Sequence, residues 1–138
     1  VTTPYWIAGT ATTSETELAV HSPFDGALVG TTSLANAADV ERAVAAAHAV
    51  APELAVLPAH ARAAALDHVS RRLAERADEI AALITAEAGK PTKWARLEVN
   101  RAVSTFRWAA EEARRFSGEL QRLDTDPTAS GRLARSGG

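Results

Sequence analysis

From about Thr92 to Ser117 the chain carries one long helical pattern, with Val99, Ala102, Val103, Phe106, Ala109, Ala110, Ala113 and Phe116 as its apolar positions. At 1.5 Å of rise per residue, such a helix is roughly 39 Å long. Helical stability comes mostly from packing an apolar face, so a helix of this length needs a partner along most of its extent. Whatever else the chain forms must supply that partner. Gly118 is well placed as the stop.

Alanine decides what the partner looks like. It makes up about a quarter of the chain and is both the best helix former and a small core residue. A mainly helical protein with closely approaching helices is therefore expected. Runs such as Ala45-Ala46-Ala47 and Ala63-Ala64-Ala65 are tolerated on either face, so the larger apolar residues weigh more in the reading. Asn36 is a good N-cap with Asp39 three residues on, and Val40, Ala43, Val44, Ala47 and Val50 form one stripe that Pro52 is expected to end. Pro58 suits the first turn of a second helix with Leu66, Val69 and Leu73 on its face. A break near Ala77, with Asp78 as a cap, precedes a segment carrying Ile80, Leu83 and Ile84.

The first third reads as extended. Tyr5-Trp6-Ile7 is β-prone and Gly9 marks a turn. Glu17–His21 and Ala27–Ser33 flank Ser22-Pro23-Phe24-Asp25-Gly26, where Pro fixes φ and Asp-Gly tolerates positive φ, so a β-hairpin is predicted. A lone hairpin is marginal and should rest on helices or join a larger sheet. After Gly118 the pattern dissolves, with Leu120, Leu123 and Leu133 scattered among polar residues.

Several chemistries find no support. The net charge of −2 comes with Lys and Arg spread along the chain, which is not a nucleic-acid footprint. No apolar run approaches a membrane span, and the first residues do not resemble a secretory signal, so a cytoplasmic protein is expected. There is no cysteine, hence no disulfide, thiolate ligand or thiol nucleophile. His21, His48, His60 and His68 lack metal-pair spacing and read as surface residues. Glu111 and Glu112 are adjacent and diverge around a helix, where arginines can pair with them. Neither a glycine-rich phosphate loop nor a serine elbow is present. Glu87-Ala88-Gly89-Lys90-Pro91 is a helix stop, with lysine at the negative end of the dipole and a Glu87–Lys90 pair expected.

Taken in order, these strings resemble the N-terminal part of the aldehyde dehydrogenase superfamily over roughly residues 5–120. The likeness runs from Ile7-Ala8-Gly9 through Ser22–Gly26, which stands where the family has its Asn-Pro-x-x-Gly turn. It continues with Asp39-Val40, with Arg62 and Leu66, and with Glu87–Pro91 for the Glu-x-Gly-Lys-Pro signature. Glu98-Val99, Ala110–Ala113 and Gly118 complete it. Ala95–Val99 with Thr105-Phe106 is similar to the branch acting on lactaldehyde, phosphonoacetaldehyde or glyceraldehyde 3-phosphate.

The resemblance implies an α/β parent with a Rossmann-type cofactor domain, of which this chain is the mainly helical N-terminal part with its hairpin. Residues 1–118 would be the hairpin and helices, and 119–138 the start of an oligomerisation arm, truncated or flexible. The family oxidises aldehydes to carboxylic acids with NAD or NADP through a cysteine thiolate, a glutamate-activated water and an oxyanion hole. All of these lie C-terminal to the matched part, so no catalytic or cofactor-binding residue is assigned here. The chain alone is expected to be inactive and the full-length protein a homo-oligomer, with no nucleic-acid or membrane partner. Some members hold a monovalent cation near the Asn-Pro turn, and the matching positions are Val20, His21 and Glu98. Arg135-Ser136-Gly137-Gly138 resembles nothing expected of the family, which suggests truncation or a frameshift. The alternative is a non-catalytic helical interaction module that keeps the family scaffold.

Overall fold

The computed structural model describes residues 2–131 and 133–136. The extended first third contains β1 (Thr2–Thr3), β2 (Tyr5–Ile7), β3 (Thr10–Thr12), β4 (Glu17–His21) and β5 (Leu28–Ser33). The helices are α1 (Ala37–Ala55), α2 (Ala59–Glu75), α3 (Ala77–Ala88) and α4 (Thr92–Arg115). A last hairpin pairs β6 (Glu119–Arg122) with β7 (Leu133–Ser136). The chain is thus mainly helical with β-hairpins, as the sequence predicts.

The predicted hairpin forms between β4 and β5, with Glu17 opposite Ser33 and a register shift between Val20 and His21. Two short strands go beyond the prediction. β1 lies parallel to β5 and completes a three-stranded sheet. β3 pairs with β2 through Ala8 and Gly9, both at positive φ as a tight type I′ connection requires. After Gly118, where the sequence carries no clear pattern, β6 and β7 pair as a hairpin. Both strands are short, and β6 is exposed throughout, so it leaves no apolar alternation to read. Gly137 and Gly138 lie outside the described residues.

The N-terminus of α1 is a capping box: the Asn36 side chain accepts from the Asp39 N–H at 3.0 Å and the Asp39 carboxylate accepts from the Asn36 N–H at 3.1 Å. The buried Asp39 carboxylate also accepts from the Tyr5 hydroxyl at 2.6 Å and pairs with Arg42. These bonds tie β2 to α1. They hold the Asp39 carboxyl below its usual range, the Tyr5 hydroxyl contributing most, and the same bond raises the Tyr5 phenol. Pro52 does not end α1, which continues to Ala55. Proline costs one backbone bond there, but His48 and its neighbours are exposed, so the freed carbonyl can meet water.

The core sits where α2 and α3 pack on α4. Its most buried residues are Ala63, Ala81, Ala95, Val99 and Ala110, with Ile80 and Ile84 packed against Ala81, Ala95 and Val99. Of the larger residues predicted on the faces of α2, α3 and α4, Val99 is buried, most others are only partly covered, and Val69, Leu83 and Phe116 are exposed. Small side chains let the helix backbones approach, so the Ser70 hydroxyl donates to the Val103 carbonyl at 2.8 Å across α2 and α4. The break between α2 and α3 falls at Arg76, whose guanidinium pairs with Glu79; Asp78 lies in the first turn of α3 and does not cap it. α4 ends three residues before Gly118.

Gly89 closes α3 in the left-handed region at φ +65, and a Cβ there would lie 2.9 Å from the Pro23 ring. Gly26 has φ +73 with open space around it. Gly26→Ala should therefore cost about 1–2 kcal/mol from backbone strain alone. Gly89→Ala should cost about 2–4 kcal/mol, because the hairpin turn must also move. Urea midpoints at unchanged slope compare the two directly. Equal costs would mean that the Pro23 contact is energetically idle.

The Asp39 network predicts an acid limb. A carboxyl held below its ordinary value of 3.8 stabilises the fold above that pH, and the contribution is lost as pH falls through the lowered value. Stability against pH should therefore drop more steeply below about 3.8 in the native chain than in Asp39→Asn. Tyr5→Phe should move the Asp39 titration upward when followed by carboxyl NMR.

Candidate functional site

Of the residues singled out for a cation, Val20 and His21 lie on β4 and Glu98 lies on α4. The β4–β5 turn is closed by Ser22 N–H to Ala27 O at 2.8 Å and Gly26 N–H to Ser22 O at 2.9 Å. Asp25 accepts from the Ala27 N–H at 3.1 Å; that bond, then the Ser22 hydroxyl, holds its carboxyl below the usual range. Val20 is half-buried on β4, and His21 Nδ1 lies 3.0 Å from the Gly26 carbonyl oxygen. Pro23 of this turn sits against Gly89, and the next residue, Lys90, pairs through its ammonium with the Glu98 carboxylate on α4. The fold thus links the turn that follows Val20 and His21 to Gly89, and Lys90 to Glu98. Lys90 pairs with Glu98 rather than with Glu87. The carboxylate assigned to a cation therefore already has a cationic partner within the chain. Among the described residues no three His, Cys, Asp or Glu side chains form a metal-binding group.

Beside the Lys90–Glu98 pair is a concavity of about 330 Å³ lined by Lys90, Trp94, Leu97, Glu98 and Arg101. It lies on the side of α4 turned away from the core residues Ala95 and Val99. Trp94 and Leu97 are 54% and 46% exposed, too open for packing residues of a finished core. Lys93 holds its ammonium 5.6 Å from the centre of the Trp94 ring. Sequence reasoning passed over Trp94, Leu97 and Arg101 because it followed the inner stripe of α4. The signal available was their own spacing of three and four residues, one helix face away from Ala95 and Val99.

A second groove, of about 500 Å³, runs between Trp6 on β2 and the alanines of α1 and is lined by apolar residues. The four histidines are all exposed. Glu112 pairs with Arg115, whereas Arg114 reaches Asp67 on α2 at 3.4 Å. These are ion pairs on the surface, each worth little to stability. No thiol exists to attack a carbonyl.

The junction from β5 to α1 is not built as a dinucleotide cradle. The strand-to-helix junction from β5 to α1 contains no glycine, and the N–H groups at the start of α1 already face the Asp39 carboxylate and the Asn36 side chain. A pyrophosphate would meet a fixed negative charge there.

Comparisons with known proteins place this geometry. The model of the aldehyde dehydrogenase family matches residues 8–135. An aldehyde-dehydrogenase-like protein of Sinorhizobium fredii is 42% identical over 113 residues, which is 82% of this chain and 22% of that protein. The structure of aldehyde dehydrogenase 21 from Physcomitrella patens, in complex with its reaction product succinate, superposes with a TM-score of 0.90 at 33% identity, over 97% of this chain and 28% of that one. PnpE in complex with nicotinamide adenine dinucleotide gives a TM-score of 0.82 at 30% identity, over 91% of this chain and 26% of that one. The chain therefore spans about a quarter of the length of the relatives it matches, and by sequence and by fold it belongs to the aldehyde dehydrogenase family.

Proposed function

We propose that this chain is the N-terminal scaffold of an aldehyde dehydrogenase that oxidises an aldehyde to a carboxylic acid with NAD or NADP, and that it is inactive alone. The observation that carries the reading is the state of α1. Its apolar stripe has almost nothing to pack on within the chain: Val44 is 60% and Leu54 56% exposed, and Val40 and Val50 are similarly open. Fully burying such a side chain is worth about 1.5–3 kcal/mol, so four half-open ones leave roughly 4 kcal/mol ungained. That is a large part of the 5–15 kcal/mol of a typical domain. A self-contained interaction module would have little reason to leave it unused, whereas a scaffold covered by further polypeptide gains it on assembly.

The nucleophilic thiol, the activating glutamate and the dinucleotide site then belong to that further polypeptide: the chain has no cysteine, and its β5–α1 junction is not built as a dinucleotide cradle. The bound nicotinamide adenine dinucleotide of PnpE and the succinate of the moss enzyme support the cofactor and the product class. Assembly into a homo-oligomer belongs to the same reading, with the β6–β7 hairpin, whose strand β6 is exposed, as the start of the arm. So does a monovalent cation at the Val20 and His21 carbonyls and Glu98, which would have to share that carboxylate with Lys90. The likeness to the lactaldehyde branch rests on Ala95–Val99 and Thr105-Phe106.

The purified 138-residue chain should form no reduced nicotinamide from short aldehydes with either cofactor, and it should bind a dye specific for exposed apolar surface. Turnover by the chain would refute the inactivity. A soluble, dye-silent and cooperatively unfolding chain would favour the interaction module.

A further inference from the structure

We infer that the β2–β3 hairpin is a flap that opens as a unit, independently of the rest of the fold, and that the Tyr5–Asp39 hydrogen bond is the latch that holds it on α1.

The hairpin has little to keep it closed by itself. β2 and β3 form a sheet of their own with three residue pairs, separate from the sheet of β1, β5 and β4. A two-stranded hairpin of this kind is marginal in water. Its turn adds strain. Ala8 sits at φ +48, where a Cβ crowds the following carbonyl and where a type I′ turn favours asparagine or glycine. Trp6, its largest side chain, is 68% exposed, so burial contributes only part of what that indole could supply.

One polar contact reaches from the hairpin to a helix. The Tyr5 hydroxyl donates to the buried Asp39 carboxylate on α1 at 2.6 Å. Among the described residues no other side-chain hydrogen bond or ion pair joins residues 5–12 to the rest of the chain. Asp39 is placed to survive release of this bond. When Tyr5 leaves, the carboxylate keeps the Asn36 N–H and the Arg42 guanidinium, so opening strands no bare buried charge. The Tyr5 hydroxyl, on a half-buried residue, passes to water. Opening therefore costs one charge-assisted bond and a modest area of contact, which is the profile of a segment that opens below the global transition. It carries Trp6, Ile7 and Ala8 away from Ala43, Ala46, Ala47 and Val50, the facing wall of the groove of about 500 Å³, and uncovers that side of α1.

The test is amide hydrogen exchange, followed by mass spectrometry of peptides, on the full-length protein that carries this chain. In the native protein the amides of β2 and β3 should exchange faster than those of β4 and β5. Tyr5→Phe keeps the ring, the capping box and the Arg42 pair and removes only the latch. It should speed exchange over residues 5–12 by about 10- to 100-fold, the range of one lost bond to a charged group, and leave β4, β5 and α4 unchanged. Ala8→Asn relieves the turn and should slow exchange over the same residues by roughly 3- to 10-fold. Native exchange as slow on β2 and β3 as on β4 and β5 overturns the flap. So does an unchanged hairpin rate in either variant. A rise in Tyr5→Phe that spreads equally through β4, β5 and α4 makes the hydroxyl a bond of the whole fold and overturns the latch.

Discussion

The close contact of α2 with α4 is the constraint on which the rest of the molecule depends. Ala63 and Ala110 are fully buried, and the Ser70 hydroxyl reaches the Val103 carbonyl on the neighbouring helix. A hydroxyl can bond to a main-chain carbonyl of another helix only where both backbones lie close, and alanine and serine allow that approach. A larger residue at either alanine would have to push the helices apart, and a packed interior tolerates such additions poorly. α4 needs a partner along its length, and this small-residue seam, continued by Ala81 against Ala95 and Val99, provides it.

With α4 fixed, the Gly89 link sets where everything else meets it. The left-handed glycine ends α3, turns the chain into α4 and leaves room for the Pro23 ring. The hairpin is thereby seated on the same corner from which Lys90 reaches Glu98. The ion pair is exposed and adds little stability. Its larger consequence is electrostatic: it removes the acid nearest to Arg101 and so determines the charge of the adjoining concavity.

How legible this was depended on side-chain size. The capping box at Asn36 and Asp39, the hairpin around Pro23-Phe24-Asp25-Gly26 and the glycine stop at Gly89 all rest on local chemistry, and each appears where the residues put it. The core faces were harder to read, because the most buried positions are alanines, which mark no face. Following Val69 and Leu83 pointed slightly off the true seam. Pro52 misled because the cost of one lost backbone bond is tolerable on a solvent-exposed helix. β1 pairs two residues with a distant strand, and β6 has no apolar alternation, so neither has a local signal. At the candidate site Glu98 was legible from the family likeness, whereas its partner Lys90 lies eight residues away across a turn. Helix spacing alone pairs Lys90 with Glu87, and only the bend at Gly89 brings it to Glu98 instead.

The two faces of α4 carry different kinds of information. On the inner face, alanine and valine are chosen for the space they do not fill, and the chemistry of those positions ends with packing. On the outer face, Trp94, Trp108 and Leu97 stay half-open, at an ungained burial of roughly 1 kcal/mol for each, and among the described residues Arg101 has no ion pair. A helix whose only task was to brace α2 and α3 would be better served there by Glu and Lys, which solvate freely and pair along the helix. Trp94, Leu97 and Arg101 instead retain apolar area and charge in one small concavity. That face holds apolar area and charge that the packing of α2 and α3 on α4 does not use.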